Sequence, residues 1–349
     1  MATADDAAAI QDATTAIDAL WDLPCTQESC TVGPERTERL LPNIPDPLKI
    51  SAFASVSYLW GPDDWKRHSS PRRFLVNLLT WPRSSILRSS LPLLLVLAAW
   101  TCAVWSFNIR FTPNALTYIT TPLGLLLAFR VQSVVARFHE ARQQWGKLIY
   151  VSRDLASMLA AAEPPVLLST RLLCCKLLIA FGWATKANAR PDDNLEQVLV
   201  TLLPPDQARG AAGARKPALA ILSMLRRATL PLPLPHHAAL GVQSHISELN
   251  SLYGGMERLL STPLSPTYLR HASRGLMLWL TLLPCGLLSA GCTTRAKLLL
   301  VVLSTAYVML GIDEIGVQIE QPFDVLPLHG MAKGLTNDVR DQLLPDAPT

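Results

Sequence analysis

The sequence predicts an all-α membrane protein with four transmembrane helices per subunit and a helical domain on the cytosolic or stromal side. Half of the 349 residues are apolar and only 17% are charged, whereas about a quarter of a typical soluble domain is charged. The mean hydropathy is +0.25. Four long runs carry no charged side chain, and basic residues collect on one side of the hairpins that these runs form.

The four uncharged runs cover residues 89–109, 111–129, 275–294 and 298–312. A helix rises about 1.5 Å per residue and needs ~20 apolar residues to cross the hydrocarbon of a bilayer. The first three runs are therefore long enough, and the fourth is marginal. We expect two widely separated hairpins, the first within residues 89–135 and the second within residues 271–312.

Lysine and arginine residues flank the hairpins asymmetrically. Those that precede the first run, with no acidic residue among them, are Lys66, Arg67, Arg72, Arg73, Arg83 and Arg88. The loop between the first two runs contains only Arg110. By the positive-inside rule, both termini and the large middle segment lie on the cytosol-like side, which in an organelle is the matrix or stroma.

Residues 1–50 are rich in acidic side chains, and we expect them to form a flexible tail. Within it, Cys25 and Cys30 either close a local disulfide or remain two free thiols. Neither a signal peptide nor an arginine-rich transit peptide is recognisable there. The basic and aromatic composition of residues 51–88 predicts interfacial, juxtamembrane helices ahead of the first span.

The second uncharged run differs from the others in composition. Pro113 suits the first helical turn, Pro122 predicts a kink, and Gly124 allows another backbone to approach. Its threonines make it more polar than contact with lipid requires, so we expect it to line a water path or a helix interface. Helical periodicity continues past Phe129 to Glu163, which predicts a rod that extends into the aqueous phase.

The rest of the chain is predicted to lie mostly outside the membrane. Residues 136–270 form a helical cytosolic or stromal domain, and residues 313–349 form a C-terminal segment that packs on it. The apolar run at 172–183 contains Lys176 and is too short to span a membrane easily. We therefore assign this run to the helical domain.

Several function classes lack the residues that they need. Seven cysteines are scattered without the spacing of a zinc site, so we expect neither a metal nor another cofactor. The basic flanks adjoin apolar runs, which favours membrane lipids and not nucleic acid as partners. His245 and Glu248, three residues apart, are expected to form a surface pair and not an acid/base site, so we expect no enzyme.

Three segments resemble one known family in content and order. LLLAFRVQSVVARFHEARQQWGKLI, LNSLYGGMERLLSTPLSPTYLRHASRGLMLWLTLLP and DEIGVQIEQPFDVLPLHGM resemble the bestrophins, and the most similar branch is that of the plant and algal thylakoid voltage-dependent chloride channels. The signature positions are Arg137, Glu140, Arg142, Trp145 and Gly146 in the first segment, and Glu320, Pro322 and Phe323 in the last.

The resemblance implies a homopentameric channel through which chloride or a similar monovalent anion passes passively. It implies a voltage-dependent central pore lined by the second span, with a narrow hydrophobic neck at Thr121, Leu125 and Phe129. Thr121 departs from the bulky apolar pattern, which implies a wider or wetter outer neck. The resemblance also implies a multi-pass protein of the chloroplast thylakoid membrane, with the plasma membrane as the alternative.

The candidates for attracting anions to the pore are Pro113, Asn114, Thr117 and Arg130. The N-terminus of the second span presents the positive end of its helix dipole, and hydroxyl groups bind anions weakly. Arg130 either belongs to a basic vestibule or forms an ion pair, and the sequence leaves both open. Arg137 and Glu140 are expected to pair on one helix face.

The resemblance also bears on calcium, because calcium-activated bestrophins carry an acidic cluster just after the PF dipeptide. Asp313, Glu314 and Glu320 precede that point here, but Asp324 is followed by Leu326 and His329. Ca²⁺ prefers about six to eight oxygen ligands. We therefore expect a channel that does not require calcium.

Two alternatives to a chloride-type channel remain. The protein is either a non-conducting membrane scaffold or anchor, or a channel that passes bicarbonate.

Overall fold

The computed structural model describes residues 4–19, 60–190 and 195–343, which fold into fourteen α-helices and contain no β-strand. The predicted all-α class is confirmed. The helices are α1 (Ala4–Asp18), α2 (Pro62–Ser69), α3 (Arg73–Thr80), α4 (Ser85–Phe107), α5 (Pro113–Ala160), α6 (Leu168–Ala189), α7 (Leu195–Leu202), α8 (Pro205–Ala212), α9 (Pro217–Thr229), α10 (His236–Ser261), α11 (Pro266–Ser289), α12 (Arg295–Glu320), α13 (Pro322–Val325) and α14 (Leu328–Leu343).

Helix α5 connects the two halves of the molecule. It contains 48 residues and begins with Pro113 in its first turn. At the usual rise it is about 72 Å long, whereas the hydrocarbon of a bilayer is only ~30 Å thick. The rod predicted from the periodicity is therefore present as one continuous helix. The predicted boundary between residues 135 and 136 falls inside α5, so this helix belongs to both predicted domains.

The membrane half consists of α4, α11, α12 and the first half of α5. Each of these helices is long and apolar enough to cross a membrane. Their shared core includes Leu97 of α4, Leu123 of α5, Leu280 of α11 and Val302 of α12. Large apolar side chains such as Leu300 remain exposed on the outside of this bundle, as expected for helices surrounded by lipid.

Helix α12 is longer than the uncharged run within it. That run is marginal by its own length, but the helix has 26 residues and continues through Asp313 and Glu314 to Glu320. It packs against α4, α5 and α11. The fourth span is therefore of ordinary length. The uncharged run is shorter than the helix because the end of α12 on the side of the helical domain carries acidic residues.

The second half of the molecule is a helical domain built around α6. By length and apolar composition α6 is a fifth candidate for a membrane span, because the helix extends beyond the short apolar run at 172–183. Its surroundings distinguish it, because 67% of its most apolar stretch is buried inside the structure, against 22% for α4. Helices α7, α9 and α14 pack against α6, and α10 and α14 pack against the second half of α5.

The structure describes residues 4–19 of the predicted acidic tail, and most of them are helical. Residues 4–18 form α1, in which Ala13 and Ile17 are buried against α6 and α7. Helix α1 packs there because these apolar side chains lie four residues apart and form one apolar face, although acidic residues occur elsewhere on the helix. Cys25 and Cys30 lie outside the described residues.

Two short helices precede the first span. Helix α3 leaves Phe74, Leu75, Leu78 and Leu79 exposed, and Arg73 is also exposed. The 3₁₀ turn Trp81–Arg83 follows, and the Trp81 indole Nε1 donates a hydrogen bond to the Tyr307 hydroxyl of α12 at 2.7 Å. An apolar face beside basic residues is the pattern of a helix that lies in a membrane interface, as the sequence predicts for this segment.

We predict that Gly182→Val weakens the docking of α14 on α6. A Cβ atom at Gly182 would lie 2.9 Å from Leu335 Cδ2, so a larger side chain forces the two helices apart. The expected loss in the free energy of unfolding is about 1–3 kcal/mol. Thermal unfolding of the detergent-solubilised protein measures it.

The matched control for that experiment is Gly210→Val in α8, where an added Cβ would meet no atom within 4 Å. We expect this variant to unfold close to the wild-type temperature, because surface substitutions usually change stability by less than about 0.5 kcal/mol. Equal unfolding temperatures for the two variants would contradict the assigned contact between α6 and α14.

Candidate pore helix

One face of α5 is left uncovered by the residues that the structure describes. Asn114, Thr117, Thr121, Leu125 and Phe129 are all exposed along it. Leu125 and Phe129 expose 54% and 52% of their surface, although both are large and apolar. Residues three or four apart share one side of a helix. The three predicted neck residues therefore lie in line on one face, which no other described part of the chain covers.

The opposite side of α5 is held in place by α11. The Trp279 indole Nε1 donates a hydrogen bond to Thr120 Oγ1 at 3.0 Å, and the Tyr268 hydroxyl donates to the carbonyl oxygen of Leu126 at 2.9 Å. Leu123 and Leu127 are buried on this side. These contacts fix the rotation of α5 about its axis, and with it the direction of the exposed face.

Arg130 does not lie on the exposed face. Its side chain is only 3% exposed and forms an ion pair with Asp313 of α12. It also donates to Ser273 Oγ of α11 at 3.4 Å, and Gly316 leaves room for its guanidinium. The grouping of Arg130 with the anion-attracting residues does not fit this position. The reason is geometric, because one residue beyond Phe129 the helix has turned by about 100° toward α11 and α12.

The predicted pair between Arg137 and Glu140 is wrong. The Arg137 guanidinium donates to three backbone carbonyls: Nη1 to Thr262 at 2.7 Å, Nε to Glu320 at 3.1 Å, and Nη2 to Leu259. Glu140 pairs with Arg258 of α10 instead. Carbonyl groups at the ends of α10 and α12 lack partners within their own helices. The Arg137 guanidinium therefore binds these carbonyl groups and not the carboxylate of Glu140.

The remaining signature residues have structural positions. Trp145 is completely buried in the core of the helical domain, whereas Arg142 lies exposed beside Gly146. Pro322 and Phe323 form the start of α13, where both are buried. The signature residues therefore pack at or near the junction between the membrane span and the helical domain. None of them lies on the exposed face of α5 with Leu125.

A buried arginine also organises the turn that follows α12. Arg190 Nη2 donates to the carbonyl oxygen of Phe323 at 2.6 Å and to that of Leu326 at 3.4 Å. Burial lowers the pKa of Arg190, and the nearby charge of Asp324 opposes that shift. Sequence reasoning missed this residue, since Arg190 lies more than a hundred positions away from the carbonyls that it binds.

The acidic residues around the end of α12 do not assemble into a metal site. Asp313 is engaged by Arg130, and Glu314 Oε1 accepts a hydrogen bond from Gln318 at 3.0 Å. No group of three or more His, Cys, Asp or Glu side chains that could hold a metal ion occurs among the residues that the structure describes.

The predicted pair between His245 and Glu248 is also wrong. His245 Nε2 lies 2.7 Å from Asp154 Oδ2 of α5, and His245 Nδ1 lies 3.0 Å from the carbonyl oxygen of Gly241. The partner comes from a neighbouring helix, because α10 packs along the second half of α5. This contact joins two helices of the domain.

We predict that removing Asp313 destabilises the protein more than removing both members of its ion pair. Asp313→Ala leaves the buried Arg130 charge without a partner, which costs about 3–5 kcal/mol. The double variant Arg130→Met with Asp313→Ala is expected to recover much of this loss. Thermal unfolding in detergent measures both variants, and a double variant that is less stable than Asp313→Ala alone would refute the pairing. Asp63→Ala, in the fully exposed pair with Lys66, is the control and should change the unfolding temperature little.

Comparison with known proteins agrees with this architecture. A family model described as Bacterial/Fungal Bestrophin protein matches residues 64–341. A voltage-dependent anion channel-forming protein of Synechocystis is 27% identical over 288 residues, which cover 78% of this chain and 92% of that protein. The chloroplastic voltage-dependent chloride channel 2 of Arabidopsis thaliana is 24% identical over 308 residues, which cover 83% of this chain and 74% of that protein.

A solved structure shows the same fold. The crystal structure of a bacterial bestrophin homolog from Klebsiella pneumoniae matches with a TM-score of 0.66 over 72% of this chain and 97% of that one, at 24% identity. The match to the family model covers well over half of the sequence and includes both signature segments. The chain therefore belongs to the bestrophin family, as its signature residues predict.

Proposed function

We propose that this protein is an anion channel in which several copies surround a central pore lined by α5. The observation that carries the proposal is the exposed face with Thr121, Leu125 and Phe129, whose direction α11 and α12 fix. A face turned only toward lipid is expected to be uniformly apolar, whereas this one also carries Asn114 and hydroxyl groups. A pore wall explains the mixture.

In this proposal Leu125 and Phe129 form the hydrophobic neck. Apolar constrictions gate by excluding water, and a weakly hydrated anion loses part of its hydration shell more easily than a small cation. The edge of an aromatic ring is also positive and tolerates an anion. Thr121 makes the outer end of the neck more polar, so we expect water to reach this level even when the neck is dry.

The mouth of the proposed pore lies at the N-terminus of α5. Asn114 and Thr117 are exposed there, and the first turn carries backbone N–H groups without helical partners. The positive end of the helix dipole concentrates anions at such a position. Arg130 is left out of this mouth, since it is buried and ion-paired.

The finer properties of the channel rest on its relatives. Relatives named voltage-dependent anion channel-forming protein and voltage-dependent chloride channel support an anion as the permeant ion and voltage as the stimulus. The proposal therefore includes voltage dependence and the passage of chloride or a similar monovalent anion. It also includes a homopentamer, as the resemblance to the bestrophins implies. Two relatives from Arabidopsis are named chloroplastic, which supports a chloroplast membrane as the location. Within the chloroplast, the proposal places the protein in the thylakoid membrane.

Independence from calcium is part of the same proposal. The carbonyl oxygens of Phe323 and Leu326 already accept hydrogen bonds from Arg190, and Asp313 is paired with Arg130. A guanidinium in this turn supplies positive charge where a bound metal ion would otherwise do so. Oxygen ligands engaged by arginines are poor candidates for a calcium site, which needs several free ones.

We predict that Leu125→Ser and Phe129→Ala increase anion conductance. Each change widens or wets the proposed neck, so the barrier to a partly dehydrated anion falls, and we expect the single-channel conductance to rise by about twofold or more. Currents from the purified protein in planar bilayers measure this.

Leu300→Ser is the control for the neck variants, because Leu300 is an apolar residue on α12 and not on α5, and it is even more exposed than the neck residues. We expect its conductance to equal that of the wild type. Unchanged conductance and gating in both neck variants would remove the neck assignment. Absence of any current from the wild-type protein at all voltages would favour a membrane scaffold.

We also predict that calcium chelation leaves the current unchanged. With EGTA on both sides of the bilayer, the open probability should equal that measured in micromolar Ca²⁺, because Asp313 and Glu314 of α12 are engaged by other side chains. A current that disappears on chelation and returns with calcium would contradict this part of the proposal.

A further inference from the structure

The exposed face of α5 does not end at the neck. Continuing from Phe129 in steps of three or four residues, Gln132, Ala136, His139 and Gln143 are all exposed. At about 100° per residue, each of them lies within about 40° of the direction of Leu125. One uncovered face therefore runs from the membrane half of α5 into the helical domain.

The composition of this face changes past the neck. Before it, the face carries hydroxyl and large apolar side chains, and after it, amides and an imidazole. Within the part of the chain that the structure describes, the side chains of Gln132, His139 and Gln143 make no hydrogen bond, and His139 has only an edge contact with Phe138. Their N–H groups have no partner among the described residues and can donate hydrogen bonds to a ligand.

The charges around this face favour an anion. Between residues 129 and 150 the only acidic residue is Glu140, and its carboxylate is engaged by Arg258. Arg142 and Lys147 are exposed close by on the same helix. The face is therefore free of uncompensated negative charge over about six helical turns.

We propose that Gln132, His139 and Gln143 form a polar collar, with three levels spread over about 16 Å of α5, that binds small monovalent anions one level at a time on the domain side of the neck. The inference rests on the proposed channel function and extends it, because it assigns residues to ion selection that the neck does not supply. Amide and imidazole N–H groups are hydrogen-bond donors. Donors without a full charge hold an anion weakly enough to release it, as conduction requires. The small side chain of Ala136 leaves the centre of the collar open.

The collar and the neck have separate tasks. An apolar neck raises the barrier for every ion and discriminates mainly by ease of dehydration. N–H donors at the exit replace part of the hydration shell that an anion loses. A cation could bind only the amide oxygens or the unprotonated ring nitrogen, and the positive charges of the exposed Arg142 and Lys147 disfavour it there. Selection by sign of charge is therefore expected to depend on the collar, and the height of the barrier on Leu125 and Phe129.

The test is to place a carboxylate in the collar and measure ion selectivity. His139→Glu and Gln143→Glu are reconstituted in planar bilayers, and the reversal potential is measured in asymmetric potassium chloride. We expect the ratio of anion to cation permeability to fall by about threefold or more in both variants, since a ring of carboxylates repels anions. His139→Asn keeps a donor and should retain the wild-type ratio.

Gln197→Glu is the matched control, because it makes the same change at an exposed position of α7, a helix that packs against α1, α6 and α8. It should not alter the permeability ratio. Size-exclusion chromatography shows whether His139→Glu yields folded protein. If it does not, the reversal potential is measured for Gln143→Glu and for the neutral variant Gln132→Ala instead.

The possible results separate the collar from the channel. Wild-type anion current with unchanged selectivity in the carboxylate variants overturns the collar and leaves the proposed function intact. Absence of current from the wild type overturns both. Equal loss of selectivity in Gln197→Glu and Gln143→Glu shows a general charge effect and also overturns the collar.

Discussion

The rotation of α5 about its own axis is the constraint on which the rest of this structure depends. Two hydrogen bonds from α11, donated by Trp279 and Tyr268, and the ion pair with Asp313 of α12 all lie on one side of the helix. Leu125 and Phe129 are consequently left on the other side. A turn by a single residue, about 100°, would bring Arg130 toward the exposed face and withdraw Phe129 from it. Only the first arrangement leaves Leu125 and Phe129 together on the exposed face, as the proposed neck requires.

Arginines join the membrane half to the helical domain. Arg130 and Arg137 lie seven residues apart on α5 and reach α12 at Asp313 and at the carbonyl oxygen of Glu320, while Arg190 holds the turn that follows. Hydrogen bonds from a charged donor contribute about 1.5–3 kcal/mol each, more than neutral ones. The segment after the fourth span is thereby tied to the pore helix and to the core of the domain. A displacement of α12 would be transmitted to α5 through these contacts.

The two halves of the molecule bury apolar surface in different ways. In the membrane half, α4 and α12 leave large side chains outside, because lipid covers them as well as protein would. In the helical domain, α6 is equally apolar but is enclosed by α7, α9 and α14. Hydropathy alone does not separate these two situations. The neighbours of a helix decide whether its apolar surface is a core or a membrane span.

The sequence by itself determined the all-α class, the four spans, the continuous rod of α5 and the family, because charge-free length, periodicity and signature spacing are properties of contiguous residues. Only the tertiary structure decided that Arg137 binds carbonyl groups, that Glu140 and His245 pair with Arg258 and Asp154, and that α1 packs on the domain. These partners lie on other helices and up to 183 positions away. The partner of a side chain depends on all the groups that helix packing brings close to it. The spacing of neighbouring residues does not predict how the helices pack.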